Sequence, residues 1–235
     1  MNSILFLIPS PLGEEPIDRF LSPYQEQIIL GLRHFIVEEI KTARRYLRKI
    51  DKTFPIDECE FLILNEHTTE GDISALLEPL KRGFNTGLLS EAGVPCVADP
   101  GSSIVRIAQS AGIKVRPLSG PSSIFMALMA SGFNGQQFIF HGYLPVDKRE
   151  REVRIRTIEK DVLHSNYTHI FIETPYRNNV LLESILTFCH PGLQLCIAAQ
   201  IQQEDEFITT RSIAEWRKKV PDLNKKPAVF LLSAG

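Results

Sequence analysis

The stretch from Leu88 to Ser123 constrains the fold of this chain more than any other. Three turn clusters punctuate it: Glu91-Ala92-Gly93-Val94-Pro95, Asp99-Pro100-Gly101-Ser102 and Ser119-Gly120-Pro121-Ser122. Between the last two, Ile104, Val105, Ile107, Ala108 and Ala111 recur at helical spacing, and Lys114 to Leu118 follows as a short strand. Thr86 to Leu89 is a strand that feeds the stretch. This is strand, loop, helix, strand, loop, with the small residues gathered after the strands. In an open α/β sheet, ligands bind where loops leave the carboxyl ends of strands. Small residues there let a ligand approach the backbone. Gly, Pro and Ser also punctuate α/β proteins that bind nothing at such turns, so spacing alone leaves ligand pocket and plain turn chemistry open.

The rest of the chain repeats the α/β rhythm. Ile4 to Ile8 is an apolar first strand ended by Pro9-Ser10-Pro11-Leu12-Gly13. It carries neither G-x-G-x-x-G nor a P-loop, which argues against a dinucleotide or a nucleoside triphosphate held in those modes. Ile17 to Gly31 is expected to be helical in part, interrupted at Pro23. His34 to Val37 reads as a buried strand ending in Glu38-Glu39, with Lys41, Arg44 and Arg45 on the helix beyond. The two carboxylates are either a functional cluster or an acidic helix N-terminus complementing the macrodipole. Phe61 to Leu64 is a strand leading to a polar loop, Asn65-Glu66-His67-Thr68, and Gly71 to Lys81 has the apolar period of a helix.

After Ser122 or Ser123, either of which can cap a helix, Ile124, Leu128 and Met129 keep helical period to Gly132. Phe138 to Phe140 is a strand. The composition then shifts to the basic helix Asp147 to Lys160, so a domain boundary is expected within Gly142 to Pro145, giving domains 1–141 and 142–235. The second half supplies strands at His169–Ile172, Leu195–Ala199, Glu206–Thr209 and Val229–Leu232, consistent with a smaller α/β domain on a mixed sheet.

With 235 residues, a net charge of −2 and no global basic signature, any nucleic-acid contact has to come from a local patch. The four cysteines form no C-x-x-C pair and no histidine sits at zinc-finger spacing, so no metal is expected and the thiols read as reduced, in a cytoplasmic protein. The first apolar run is too short for a membrane span, and no membrane partner is expected.

Taken together, these turns resemble the tetrapyrrole-methylase superfamily of S-adenosylmethionine (SAM) dependent methyltransferases. Within it they are most similar to the enzymes that 2′-O-methylate a ribose of small-subunit ribosomal RNA. The resemblance is carried by Pro9-Ser10-Pro11-Leu12-Gly13, Ser90-Glu91-Ala92-Gly93-Val94-Pro95 with Asp99-Pro100-Gly101, and Leu118-Ser119-Gly120-Pro121-Ser122. His141-Gly142-Tyr143-Leu144-Pro145 and Glu173-Thr174-Pro175-Tyr176-Arg177 extend it. It implies two α/β domains with a SAM-binding cleft between them, a homodimer, and ribosomal RNA or the small ribosomal subunit as substrate.

By position, the resemblance places the cofactor against Pro9, Leu12, Gly93, Val94, Pro95, Val97, Ser122 and Ser123, with Thr174, Ala199 and Ala228 from the second domain. Glu38 or Glu39 is the candidate base, with Lys41 as its charge partner. The family's A-R-E-L segment is here Ala198-Ala199-Gln200-Ile201, and its K-G-E-M segment is Lys225-Lys226-Pro227-Ala228, so substrate-side charges are lost. Two other functions stay open: methylation of a small, tetrapyrrole-type molecule, and SAM or RNA binding without catalysis.

Overall fold

The computed structural model describes residues 3–64 and 68–234; most of the polar loop expected after the third strand, residues 65–67, lies outside them. The chain divides into two compact units, Met1–Ser122 and Ser123–Gly235.

In the first unit the strands are β1 (Ile4–Ile8), β2 (His34–Val37), β3 (Glu60–Ile63), β4 (Thr86–Leu89) and β5 (Lys114–Pro117). They form one sheet in the order β3-β2-β4-β1-β5, and every pairing is parallel. Both faces of such a sheet must be covered, which is why β1 is an unbroken apolar run and every residue of β4 is buried. The helices are α1 (Pro23–Leu30), α2 (Ile40–Ile50), α3 (Glu70–Leu76), α4 (Glu78–Lys81) and α5 (Gly101–Ser110). On one face, Ile29 of α1 and Ala43, Tyr46 and Leu47 of α2 pack on Phe6, Ile8, Phe35 and Val37. On the other, α3, α4 and α5 pack on Leu5, Ile36 and Leu88.

This arrangement fixes where a ligand can enter. β2 leads through α2 on one face, while its neighbour β4 leads through α5 on the opposite face. The two connections diverge and leave a crevice at the carboxyl ends of β2 and β4, the topological switch point of the sheet.

Pro23 does not interrupt a helix; it begins one. Its missing N–H costs nothing at the first helical turn, and Ser22 and Gln25 close a reciprocal capping box just ahead of it. A short 3-10 turn, Ile17–Arg19, precedes it. The single helix expected over Gly71 to Lys81 is two, with the break at Leu77 ahead of Pro79.

The second unit holds α6 (Ser123–Ser131), β6 (Phe138–Tyr143), α7 (Lys148–His164), β7 (Thr168–Ile172), α8 (Asn178–Phe188), β8 (Gln194–Ala199), β9 (Phe207–Ser212), α9 (Ile213–Lys218) and β10 (Ala228–Ser233). The sheet order is β6-β7-β10-β8-β9, mixed because β6 and β7 are parallel and the other pairings antiparallel. The shift in composition placed a boundary after residue 141, whereas the compact units part at Ser122. The reason is tertiary: α6 packs on β8, β9 and β10, and β6 pairs with β7. β6 also runs past Phe140 to Tyr143, through a bulge at which Gly142 takes φ 65.

Helix α9 had a local signal that periodicity passed over: Ser212 and Glu215 form a capping box at its start. It buries Trp216, whose indole N–H donates to Leu195 O at 2.8 Å.

Candidate functional site

The crevice of the first unit is built from three loops. Parallel pairing puts Ile8, Val37 and Leu89, the last residues of β1, β2 and β4, in one row. The chain beyond each therefore leaves from the same edge. The β1 and β4 loops are tied together: Ser10 and Gly93 exchange main-chain hydrogen bonds of 2.8 and 3.1 Å, and the Ser10 hydroxyl donates to Ser90 O at 2.7 Å. Tyr46 on α2 donates its buried hydroxyl to Pro9 O at 2.8 Å. Gly120 lies so close to Pro9 that a Cβ on it would fall 2.1 Å from the proline Cβ.

The β4 loop is held in an uncommon shape. Gly93, Cys96 and Ala98 all take left-handed conformations, with φ of 74, 70 and 61. The two non-glycine residues each cost on the order of 1–2 kcal/mol there. Asp99 holds the loop: its carboxylate accepts from the N–H of Cys96 and of Gly101, all at 2.8 Å. Backbone strain of this kind clusters at ligand sites.

Among the residues expected to hold a cofactor, Pro9, Leu12 and Gly93 come together. A Cβ at Gly93 would meet Leu12 Cδ2 and Pro121 O, both at 3.4 Å, so the Ser119–Ser122 turn joins the same cluster. Pro95 is buried, Val94 partly so, and Val97 is exposed. Ser123 opens α6 in the second unit. There, Ala199 and Ala228 are buried register partners on β8 and β10, and Val229 pairs with Ile172, two residues before Thr174. Buried alanines can offer a ligand only their backbone. The Thr174 N–H donates to the Glu173 carboxylate at 2.7 Å, and Arg177 pairs with the same carboxylate at 2.5 Å. The Glu-Thr-Pro-Tyr-Arg motif is thus an internally satisfied turn around a buried charge.

The β1 turn hides a residue that sequence reasoning missed. Buried Glu15 accepts from the N–H of Leu12 and of Gly13, both at 2.8 Å. The turn's amides are spent on the protein's own carboxylate, so this loop offers a ligand shape and apolar surface, not an anion cradle.

The expected base residues separate by face. Ile36 and Val37 alternate between the two cores, so Glu38 continues on the α5 side, against Leu64, Leu88 and Asp99 in a void of about 10 Å³. Burial, then the charges of Asp99 and Glu91, raise the Glu38 pKa above the ordinary carboxylate range, partly offset by a hydrogen bond from the Glu91 N–H. Glu39 is the N-cap of α2 and accepts from Lys41 N at 3.0 Å, the helix-terminus role weighed for this pair. Lys41 is exposed on the first turn of α2.

On the α2 side lies a cavity of about 220 Å³. Its apolar lining includes Leu12, Val37 and Leu89, and its polar lining includes Arg45, Lys49 and Glu91. Partial burial and the neighbouring Glu39 charge raise the Glu91 pKa, while hydrogen bonds from the Thr42 hydroxyl and the Glu39 backbone oppose the shift. Glu91 stands inside the motif that marks this loop, and only the fold shows that its side chain shares a cavity with α2.

The basic helices also sort differently from their sequence. Arg44 pairs with Asp57 at 2.9 Å. In α7, Arg151 is buried and donates to Ser184 Oγ, Pro145 O and Val146 O, a structural role that the run of charges did not reveal. Among the described residues, no group of His, Cys, Asp and Glu could hold a metal ion, and no helix is long and apolar enough to cross a membrane.

Comparison with known proteins agrees with the fold. The family model described as Tetrapyrrole (Corrin/Porphyrin) Methylases matches residues 36–216. The chain is 31% identical over 237 residues to a Ribosomal RNA small subunit methyltransferase I from Haemophilus influenzae, covering 99% of this chain and 79% of the relative. It is 29% identical over 240 residues to the protein of the same name from Vibrio cholerae, covering 99% and 77%. Among solved structures, the crystal structure of the methyltransferase CobJ superposes with a TM-score of 0.65 at 16% identity, covering 99% of this chain and 94% of that one.

Proposed function

Since this chain belongs to the tetrapyrrole methylase family, we propose that it methylates a ribose 2′-hydroxyl in the RNA of the small ribosomal subunit. It is a methyltransferase and SAM is its methyl donor. The observation that carries the RNA acceptor is the similarity, over 99% of this chain, to relatives named for ribosomal RNA methylation.

The crevice fits such a donor. The Gly93–Ala98 loop carries no Lys or Arg, and Glu38, Asp99 and Glu91 gather beside it. A negative edge favours a sulfonium and an ammonium and disfavours a nucleotide cofactor bearing several phosphates. Pro9, Leu12, Gly93, Val94, Pro95, Val97 and Ser122 are the proposed cofactor contacts from the first unit. Ser123, Thr174, Ala199 and Ala228 are those proposed from the second.

When bound, SAM supplies a methyl group already activated by its positive sulfur. The protein's task is then alignment, and proximity and orientation carry much of the rate in such a transfer. The ribose oxygen must face the methyl carbon, and its proton needs an acceptor. That acceptor is proposed to be one of the switch-point carboxylates Glu38, Glu39 and Glu91. Lys41 balances their charge and meets a nearby phosphate. We further propose that the protein works in the cytoplasm as a homodimer.

The test is transfer from labelled SAM to small subunits purified from a strain lacking the enzyme. The expected product is one 2′-O-methylated nucleotide. Label transferred to a porphyrin offered in a parallel reaction, with none in RNA, would assign the enzyme to small molecules.

A further inference from the structure

The 220 Å³ cavity on the α2 side shares only Leu12 with the proposed cofactor contacts. Its inner wall is apolar and rigid, because Val37 and Leu89 are buried register partners on β2 and β4. Tyr46 is fixed by its bond to Pro9 O. Both cations come from exposed positions of α2, one turn apart, and Lys49 is paired with Glu14 at 2.9 Å across the rim. Glu91 belongs to the loop between the cavity and Glu38: its side chain lines the cavity, and its N–H serves the Glu38 carboxyl on the other face. An apolar pocket, two cations at its rim and a carboxylate where the main chain turns toward the crevice match one nucleotide: base, phosphate and sugar hydroxyl.

We propose that this cavity seats the acceptor nucleotide, that Arg45 and Lys49 hold a neighbouring phosphate, and that Glu91 takes the proton of the reacting hydroxyl. This rests on the RNA-methylating function proposed above and narrows it. In the step, the hydroxyl oxygen forms its bond to the methyl carbon as the carbon–sulfur bond breaks. The electron pair of that bond stays on sulfur, and the hydroxyl proton passes to the Glu91 carboxylate. Glu38, turned to the α5 side, acts on Glu91 through its main chain and is a positioning residue.

Two measurements on the full chain decide this. The first needs no turnover. Methyl-labelled protein is titrated with cytidine 5′-monophosphate, and with inorganic phosphate as control. The methyl signals of Leu12, Val37 and Leu89 should move and saturate, and the double variant Arg45→Ala, Lys49→Ala should weaken binding at least five-fold. Cavity methyls that stay still, or that move equally with phosphate alone, overturn the nucleotide seat.

The second is steady-state transfer to small subunits, with SAM affinity measured in parallel. Glu91→Gln should lower kcat by about 100-fold or more, the range of a lost general base, and remove the acidic limb of the pH profile. Glu38→Gln should lower kcat less and keep that limb. The double variant should raise KM about ten-fold, more than it changes kcat. SAM affinity should stay within about three-fold in the Arg45, Lys49 double variant, and kcat of the two carboxylate variants is read at saturating SAM. A Glu91→Gln enzyme with wild-type kcat, or a larger loss in Glu38→Gln, overturns the role of Glu91. A wild-type protein that leaves subunits unlabelled refutes the RNA-methylating function, while the titration still decides the cavity.

Discussion

Adding a single methyl group at Gly120 should pry open the loops that shape the crevice. A Cβ there falls 2.1 Å from Pro9 Cβ and 2.4 Å from Pro9 Cγ. A proline ring cannot rotate away, so the β1 turn itself has to move. That turn is fixed at three points: Tyr46 to Pro9 O, Ser10 to Gly93, and Ser10 Oγ to Ser90 O. Overpacking of this kind costs roughly 1–3 kcal/mol. Against it stands a gain of about 0.4–1 kcal/mol from stiffening the unfolded chain, because Gly120 has no positive φ to forbid alanine. The net expectation for Gly120→Ala is a loss of about 1–2 kcal/mol. At roughly 2–4 °C per kcal/mol for a chain of this length, the melting midpoint should fall by about 2–8 °C. SAM affinity should fall with it, because Pro9 and Gly93 move together.

The control is Gly135→Ala, where a Cβ meets nothing within 4 Å and φ is not positive. It should be neutral or slightly stabilising. Thermal unfolding with and without SAM, and calorimetric SAM titration, measure both effects. If Gly120→Ala melts with Gly135→Ala and binds SAM as the wild type does, the tie between the two loops does not shape the site.

Other outcomes follow from single contacts. In the second unit, Arg154 Nη2 lies 2.9 Å from His141 Nδ1, His141 Nε2 lies 2.9 Å from His169 Nδ1, and His169 Nε2 faces Asp161 at 3.4 Å. Arginine can only donate, so both rings are neutral with their protons on Nε2. Burial, then Arg154 and His169, lower the His141 pKa to about 4. The stability this contributes is complete above pH 6.5, the unfolded value, and is lost as pH falls toward 4. Denaturant unfolding between pH 7.5 and 4.5 should show a loss on the order of 1 kcal/mol, after allowance for solvent screening; His141→Asn should flatten it. Glu39→Gln removes a like charge beside Glu91, so the Glu91 pKa should drop and the acidic limb of the kcat profile should move to lower pH. A limb that stays in place would detach Glu91 from the profile. Arg151→Met should destabilise by about 1–3 kcal/mol, because Ser184, Pro145 and Val146 lose a buried charged donor. Urea unfolding reads this directly.

Much of this protein is written locally. The bare apolar run of β1 dictates a strand buried on both faces, hence a covered parallel sheet, and the turn clusters after β1 and β4 mark the ligand-binding edge. Period and caps are short-range physics, so elements such as β2, α2, β4 and α7 stand close to where the sequence places them. Pro23 and Ser212-Glu215 also carried local signals, as a helix start and a capping box. What local pattern cannot hold is direction and company across the fold. That Glu38 turns toward α5 while Glu91 turns toward α2 depends on which face each crossover takes. That Glu15 occupies the amides of the β1 turn, that Gly120 presses on Pro9, and that Arg151 serves as a buried strut are consequences of distant chain meeting in space. Composition marked the loops as a site, and only packing decided which of their polar groups remain free to act on a substrate.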